Sequence, residues 1–371
     1  MGDTRNPDIS GDAGMVAAGL DLKSGQLKMK ETPMTRSMFR RGLLAGASAT
    51  LLLGSLLSGT PVLAQTPKVL LRVSTPAVPD DWHAKMWTVF KDALEKSAPG
   101  EFDVQINLNA SLFKQGTESA AMARGNLELA SISAFDIAKL LPEFSVFTAG
   151  YIIRDPAHQQ KVFNGPIGAE MFKTVASRMD VTPLSTLYLG TRQINLRETH
   201  SVRTPADLKG IKLRMPGSKE WLFLGEALGA TATPLAFGEV YLGLKTGTID
   251  GQDNPLPSVR AAKFYEVTKQ LVMTSHLVDG LFIVISSKSL NAMTPAQRQK
   301  VKAAADTATA YNNENRLMEE GQLVEFFRQQ GLQVTTPDVD AFRKAVQAAY
   351  QNSDYAKVWP KGLVERINAT R

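Results

Sequence analysis

Hydrophobic and polar residues along the first half of the chain switch between the two-residue period of a strand and the wider period of a helix. Apolar side chains dominate 69–73 and recur at alternate positions in 102–108, which predicts two β-strands. An apolar stripe at helical spacing predicts a helix over 82–97, and a second helix at 116–124 precedes a short strand at 127–132. Strands that alternate with helices across short loops predict a parallel α/β sheet.

The second half of the chain continues this style of pattern. Strands are expected at 183–189, 211–215 and 281–286, with helices at 221–228 and 237–245. The strand at 281–286 is almost continuously apolar, which is typical of a central strand that is covered on both faces.

One helical pattern near the C-terminal end is unusually long. It begins at Thr294 and Pro295, meets no breaker before Gly321 and continues to Gly331. A helix of that length would span roughly 50 Å, which exceeds the width of a small domain. The segment is therefore either two helices that break near Gly321 or one helix that runs along two lobes, and a last helix is expected at 338–351.

The N-terminal segment has the pattern of an export signal. Residues 42–67 carry no charge, their apolar core covers 43–57, and Arg40 and Arg41 precede it. Small residues lead up to Ala64, so we expect a signal peptide that is cleaved after about Ala64 and a periplasmic mature chain. Glycine and serine residues interrupt the apolar run, which disfavours a retained transmembrane anchor.

Two features of this leader stay open. Arg40 and Arg41 resemble a twin-arginine signal, but Phe39 stands where that signal prefers serine or threonine, so the Sec route remains an alternative. The true start is Met1 or Met34, because Met34 begins a leader of ordinary length. We therefore expect residues 1–64 to be an N-terminal extension and signal peptide outside the folded protein.

Composition narrows the class of protein. A chain of 371 residues exceeds the size at which one hydrophobic core stops growing, so two domains are expected. The absence of cysteine excludes disulfide bonds, iron–sulfur clusters, cysteine nucleophiles, thiolate zinc sites and a lipid-modified N-terminal cysteine. The formal net charge is +6, but the signs are mixed without the basic stripe that nucleic acid requires, so we expect no nucleic-acid partner.

None of the common catalytic or cofactor motifs occurs in the sequence. The histidines lack the spacing of a zinc hydrolase and are each expected at the surface or in a loop: His83, His158, His200 and His276. The sequence also lacks a Gly-x-Ser-x-Gly elbow, a Gly-x-Gly-x-x-Gly loop after a strand and a Gly-Lys-Ser/Thr phosphate loop. We therefore expect no enzyme activity, no cofactor and no metal.

Two arginines at predicted strand ends suggest a binding site instead. Arg192 follows the strand at 183–189, and Arg214 closes the strand at 211–215. Open α/β sheets bind ligands at the carboxyl ends of their strands, and a guanidinium donates two parallel charge-assisted hydrogen bonds to a carboxylate. The alternative is that Lys212 and Arg214 share the exposed face of an edge strand.

Four segments carry a resemblance to a known family. They are 204–216 (TPADLKGIKLRMP), 229–241, 250–255 (DGQDNP) and 264–267 (FYEV). In these segments the sequence resembles the DctP family, the solute-binding proteins of tripartite ATP-independent periplasmic (TRAP) transporters. The similarity covers essentially all of 68–350.

The resemblance implies a fold class and a domain organisation. The expected fold is α/β, a two-lobed periplasmic-binding-protein fold with a long helix spanning both lobes, which closes on its ligand by hinge motion. Lobe I would comprise 65–190 plus about 280–319. Lobe II would comprise 191–279 plus about 320–371.

The resemblance also implies the binding residues. Arg214 matches the arginine that pairs with the substrate carboxylate, and Arg192 matches a second arginine. Phe237 matches an aromatic wall of the pocket and Asn254 a polar side chain opposite it. From the residues alone, Asn254 either hydrogen-bonds a ligand or makes an Asx-turn.

Further positions align more loosely or depart from the family pattern. Trp82 and Ser133 fall where residues of lobe I approach the ligand. Gly150 and Gly217 replace residues that are common in the family, which leaves the fine specificity open. Trp221 either shapes the pocket or belongs to the core.

The resulting hypothesis is a monomeric periplasmic receptor that binds a small organic acid and delivers it to TRAP membrane permease subunits. The alternatives are a ligand receptor for a sensor kinase and a periplasmic enzyme on an α/β scaffold. The sequence does not choose among sugar acids, C4-dicarboxylates, keto acids and aromatic acids.

Overall fold

The computed structural model describes residues 67–371, so the leader expected at 1–64 and its cleavage site lie outside the described residues. The described chain builds one mixed sheet with the strand order β2-β1-β3-β8-β4-β7-β5-β6, in which β9 also pairs with β8. The strands are β1 (Val69–Ser74), β2 (Phe102–Asn107), β3 (Leu129–Ser133), β4 (Val181–Leu196), β5 (Lys212–Met215), β6 (Thr231–Pro234), β7 (Gly251–Pro255), β8 (Gln270–Ser286) and β9 (Gln333–Thr335).

The sequence predicts a parallel sheet, and this prediction is wrong for the central strands. β4 runs antiparallel to β7 and β8, and β8 also runs antiparallel to β3. The outer pairs β1/β2, β1/β3, β5/β6 and β5/β7 are parallel as expected. The local pattern does not show the direction of the two central strands, because their partners are distant in sequence.

The two central strands are also much longer than predicted. The strand expected at 183–189 continues to Leu196, and the one expected at 281–286 begins at Gln270. Gly190 resembles a strand end in the sequence, but it lies at a register shift inside β4 with φ +129°. A Cβ at Gly190 would lie 2.5 Å from Cβ of Pro255, so glycine lets the strand bend there and continue.

Most predicted helices form near their predicted positions, and α1 has the predicted bounds. No helix within 67–371 is both long enough and apolar enough to cross a bilayer. The α-helices are α1 (Trp82–Ser97), α2 (Glu118–Ala123), α3 (Ala134–Ala138), α4 (Pro156–Asn164), α5 (Pro166–Arg178), α6 (Lys219–Ala227), α7 (Val240–Thr246), α8 (Leu256–Ala261), α9 (Ser287–Ala292), α10 (Pro295–Gln329), α11 (Val339–Gln351), α12 (Asp354–Val358) and α13 (Leu363–Ala369).

Helix α10 is one continuous helix, so the alternative of two helices broken near Gly321 is wrong. It begins with a capping box in which Thr294 and Gln297 satisfy each other's backbone N–H groups. Glycine in a helix interior costs about 1 kcal/mol relative to alanine. Tertiary packing offsets that cost, because Ala304 belongs to the core cluster of α1 and Phe327 belongs to the core cluster of α7 and α8.

The sheet divides into two halves that β4, β8 and α10 connect. Lobe I is the half that contains β1, β2 and β3, and lobe II is the half that contains β5, β6 and β7. The expected two-lobed α/β fold with a helix spanning both lobes is therefore confirmed.

The residue limits of the two lobes stay a prediction. The last helix, α13, bears on these limits through the residues that it contacts. Leu363 and Ile367 on one face of α13 pack in the cluster that contains Phe163 and Ile167 of lobe I. The carbonyl oxygen of Ile367 also lies 2.8 Å from Nε2 of His158. The last helix therefore packs on lobe I, although the resemblance implied lobe II for everything after about 320.

A buried guanidinium at the middle of α10 joins three elements. Arg316 donates from Nε to the carbonyl oxygen of Leu189 in β4 at 2.7 Å and from Nη2 to Oγ of Ser258 in α8 at 2.9 Å. Its Nη1 donates to the carboxylate of Asp81, which caps α1 by accepting from the backbone N–H of His83 at 2.9 Å. Burial raises the pKa of Asp81, but the charge of Arg316, together with hydrogen bonds from His83 and Ser258 and the charge of His83, holds that pKa below its usual range.

Arg316→Gln tests this junction. We expect the free energy of unfolding to fall by about 3–5 kcal/mol, because the carboxylate of Asp81 would remain buried without a cation. Urea unfolding measures the change. Arg328→Gln, at an exposed position of the same helix, is the control and should change the free energy by less than about 0.5 kcal/mol.

A double variant makes the prediction sharper. Asp81→Asn in the Arg316→Gln background should recover part of the loss, because a neutral amide needs no counter-ion. Equal midpoints for Arg316→Gln and Arg328→Gln would show that the ion pair does not stabilise the fold.

Candidate functional site

A cavity of about 320 Å³ lies between the two lobes and receives side chains from both. Lobe I contributes polar groups from the loop after β1, the start of α1, β3 and the loop before α2. Lobe II contributes aromatic and polar groups from β4, β7, α6 and the loops after β5 and β6. The residues used below that line it are His83, Gln115, Glu118, Ser131, Ser133, Arg192, Trp221, Leu235, Phe237, Asn254 and Asp279.

Arg192 lies in the middle of β4 and not after a strand, and it already has two carboxylate partners. Nε donates to Asp279 at 2.7 Å, and Nη1 donates to both the carboxylate and the carbonyl oxygen of Asp253 at 3.1 and 2.8 Å. Its guanidinium carbon also lies 4.3 Å from the centre of the Trp221 ring, a cation–π distance. Burial lowers the pKa of Arg192, but the two aspartates outweigh it and raise that pKa above its usual value.

Arg214 is buried and lacks a carboxylate partner. Nε donates to the carbonyl oxygen of Leu235 at 2.7 Å, and Nη2 donates to Oε1 of Gln115 at 3.1 Å. No carboxylate oxygen within residues 67–371 lies at ion-pair distance from it. Burial lowers its pKa to about 9; the charges of Asp253 and Glu239 oppose this shift and the like charge of Arg192 adds to it, so Arg214 remains a cation at neutral pH.

The alternative of an exposed edge strand is wrong for Arg214. β5 has β6 on one side and β7 on the other, and Arg214 is 1% exposed. The guanidinium lies directly behind the cavity wall, because its acceptors Gln115 and Leu235 both line the cavity.

The structure brings three more of the predicted residues to the cavity. Phe237 lines it, and its backbone N–H donates to Oε1 of Gln115 at 3.1 Å. Asn254 lies within β7 and donates to the side chain of Gln252, so it does not form the Asx-turn. Ser133 ends β3 and caps α3, with Oγ donating to Asp136 at 2.8 Å.

Two predicted site residues do not line the cavity: Arg214 lies behind its wall, and Trp82 is turned towards α10. The Nε1 of Trp82 donates to Glu319 of α10 at 2.7 Å, and its ring packs edge-to-face on Tyr311 at 5.9 Å. The neighbouring Asp81 and His83 line the cavity instead. Successive side chains of a helix point about 100° apart, so an alignment error of one position selects the wrong face.

Sequence analysis placed three histidines wrongly and left one lining residue open. His83 was expected at the surface or in a loop but is 3% exposed and lines the cavity. His158 and His276, away from the cavity lining, are also buried. The spacing of His83 with Trp87 and Phe90 on the apolar face of α1 was the available signal. Trp221, left open between pocket and core, lines the cavity.

Glu118 is a further residue that carried no signal in the sequence. It is 3% exposed, and Oε2 accepts from the backbone N–H of Gly116 at 2.7 Å. Burial, reinforced by the nearby charge of Asp136, raises its pKa to about 8. The side chain is therefore largely protonated at neutral pH and can donate as well as accept a hydrogen bond.

The lining groups suit a small organic anion. Arg192 in the lining and Arg214 behind it supply positive charge, the rings of Trp221 and Phe237 supply apolar contact area, and neutral polar groups supply donors and acceptors. Within 67–371, no cluster of three or more histidine, aspartate or glutamate side chains is arranged to hold a metal ion.

Comparison with known proteins identifies relatives of the same architecture. The model of the DctP family, bacterial extracellular solute-binding protein family 7, matches residues 74–357. The chain is 30% identical over 263 residues to the sialic acid-binding periplasmic protein of Vibrio cholerae, which covers 71% of this chain and 81% of that protein. It is 28% identical to the C4-dicarboxylate-binding periplasmic protein of Rhodobacter capsulatus, with 73% and 79% covered.

Two solved structures extend the comparison. A TRAP periplasmic solute-binding protein of Roseobacter denitrificans with bound 3-deoxy-D-manno-oct-2-ulosonic acid has a TM-score of 0.79 and 45% identity, and the match covers 82% of this chain and all of that one. A TRAP periplasmic solute-binding protein of Xanthobacter autotrophicus with bound β-D-galacturonate has a TM-score of 0.75 and 28% identity, with 81% and 100% covered.

Glu118→Gln tests the environment of the buried carboxyl group. The folded chain holds this proton up to about pH 8, whereas the unfolded chain releases it near 4.5, the ordinary pKa of a glutamate. The contribution of Glu118 to stability is therefore present below about pH 4.5 and is lost as the pH rises towards 8. Glutamine keeps the acceptor for Gly116 without the proton.

The melting temperature of Glu118→Gln minus that of the wild type should therefore rise between pH 4.5 and pH 8 and level off above. Thermal melts in matched buffers measure this difference. A difference that is constant over the whole range would show that Glu118 is not held in its protonated form.

Proposed function

This chain belongs to family 7 of the bacterial extracellular solute-binding proteins, the DctP family of TRAP receptors, and we propose that it captures a sugar acid in the periplasm. Arg214 anchors the carboxylate of that acid. Arg192 and Asn254 contribute polar contacts, and Phe237 packs on the carbon skeleton. Closure of the lobes removes water from the cavity and strengthens the ion pair.

The observation that carries this proposal is the charge of Arg214. A buried cation without a direct ion pair is costly, so a guanidinium in that state behind a cavity wall favours an anionic ligand. Charge-assisted hydrogen bonds to a carboxylate contribute about 1.5–3 kcal/mol each. Oε1 of Gln115 accepts from both Arg214 and the backbone N–H of Phe237, so a carboxylate that replaced this oxygen would receive both hydrogen bonds.

The pairing of the two arginines favours a monocarboxylate over a dicarboxylate. Asp253 and Asp279 both form ion pairs with Arg192, whereas Arg214, behind the cavity wall, has no carboxylate at ion-pair distance within residues 67–371. One guanidinium without a direct carboxylate contact matches one ligand carboxylate. The relative at 45% identity, which binds an eight-carbon sugar acid with one carboxylate, supports this choice.

The relatives also support a receptor and a transport role. Those named above are binding proteins, which favours a receptor over the enzyme considered from the sequence. We infer that the chain acts as a monomer and delivers its ligand to TRAP membrane permease subunits. Deletion of the gene should abolish uptake of the labelled acid by the cell, and expression in trans should restore it.

Arg214→Ala tests the anchor. Affinity for 3-deoxy-D-manno-oct-2-ulosonic acid, measured by calorimetry, should fall at least tenfold, which corresponds to about 1.4 kcal/mol. Arg214→Lys keeps the charge but lacks the planar fork, so it should recover only part of the affinity.

Lys212→Gln is the matched control on the same strand. Its Nζ donates to the carbonyl oxygens of Gly247 and Thr248 and does not line the cavity, so affinity should change by less than about twofold. Unchanged affinity in Arg214→Ala, or binding of neutral sugars without any carboxylate, would refute the anchor.

We further propose that the exported chain begins at Gln65 after cleavage behind Ala64. The mass of the protein in a periplasmic fraction should match 65–371. Ala64→Arg places a large charged side chain at the position that the peptidase recognises, so the leader should stay attached. A periplasmic chain that retains 1–64 would contradict the proposal, and Arg40→Lys with Arg41→Lys distinguishes twin-arginine from Sec export.

A further inference from the structure

The lobe I wall of the cavity contains polar atoms that have no partner in the described protein. His83 is 3% exposed and lines the cavity, and neither Nδ1 nor Nε2 of its ring makes a hydrogen bond within residues 67–371. Ser131 is 7% exposed, lines the same cavity and has an Oγ that is likewise unpartnered. Buried polar atoms are rarely left unpaired in a folded protein, so two such side chains on one cavity wall point to a ligand.

Rigid elements hold both side chains in place. His83 lies in the first turn of α1, where its backbone N–H donates to the carboxylate of Asp81, and Asp81 is in turn bound by Arg316. Ser131 lies in the middle of β3, opposite Ile283 of β8. The backbone positions from which both side chains reach the cavity wall are therefore fixed by secondary structure.

The charge state of the histidine determines what it can bind. Burial and the neighbouring Arg316 guanidinium lower its pKa to about 3, against the opposing effect of Asp81. The imidazole is therefore neutral at physiological pH and presents one donor and one acceptor. A hydroxyl group is complementary to that pair, because it also donates and accepts, whereas the neutral ring offers a carboxylate no charge of its own.

We infer that His83 and Ser131 form a hydroxyl-binding subsite on lobe I, which receives the hydroxylated end of the acid whose carboxylate Arg214 binds. This inference rests on the proposed function and adds the origin of its specificity. A site built to hydrogen-bond a hydroxyl discriminates strongly against analogues without one, because its own polar groups are then left unpaired. The subsite therefore selects sugar acids and rejects short keto acids and dicarboxylates.

The test uses two variants in which a binding role and a structural role predict opposite results. His83→Phe keeps a ring of similar shape and removes two unpaired nitrogens from the interior, and Ser131→Ala removes one unpaired oxygen. If these atoms serve a ligand, both variants should melt no lower than the wild type. Their affinities for 3-deoxy-D-manno-oct-2-ulosonic acid, measured by calorimetry, should fall at least tenfold.

His158→Phe is the matched control. His158 is also buried, but it lies outside the cavity lining, and its ring contacts the backbone N–H of Arg154 and the carbonyl oxygen of Ile367. This variant should lose stability and keep its affinity for the same acid. Lower melting temperatures with unchanged affinity in His83→Phe and Ser131→Ala would overturn the subsite.

Arg214→Ala separates this inference from the proposed function. If Arg214→Ala loses the acid while His83→Phe and Ser131→Ala retain it, the anchor stands and the subsite is wrong. If the wild type binds neither this acid nor D-galacturonate, the proposed function fails and the subsite fails with it.

Discussion

The ion pair between Arg316 and Asp81 is the interaction on which the rest of the arrangement depends. The guanidinium connects the long helix α10 to the start of α1 in lobe I, to β4 and to α8 in lobe II. Asp81 also caps α1, so the same carboxylate sets the position of His83 in the cavity wall. Removing one partner of a buried pair leaves the other uncompensated, which makes this junction sensitive to single substitutions.

The two arginines at the cavity, Arg192 and Arg214, have different surroundings. Arg192 is compensated by Asp253 and Asp279 and packs on Trp221, so it orders the wall between β4, β7 and β8. Arg214 has only neutral acceptors, the oxygens of Leu235 and Gln115. Two side chains of the same type thus differ in their electrostatic surroundings, and the neighbouring carboxylates are the cause.

The cavity is also where the chain departs from the usual rules of a stable interior. Arg214 has no direct ion pair, Glu118 is held in its protonated form, and the nitrogens of His83 are unpaired. The concentration of such features around one cavity is typical of a binding site. The proposed ligand would pair with Arg214 and with His83.

The sequence by itself determined the positions of most helices and strands and the presence of a long helix, because these depend on short-range periodicity. It also determined the family and singled out Arg192 and Arg214, because these depend on motifs of adjacent residues. It did not determine that β4 and β8 cross both lobes, because the bend at Gly190 resembles a strand end until Pro255 is placed against it. The sequence predicted Trp82 as a cavity residue, but His83, the next residue of α1, lines the cavity instead. The sequence also predicted similar roles for Arg192 and Arg214. Only the tertiary structure distinguished them, because burial, partner carboxylates and unpaired atoms arise between residues that are far apart in the chain.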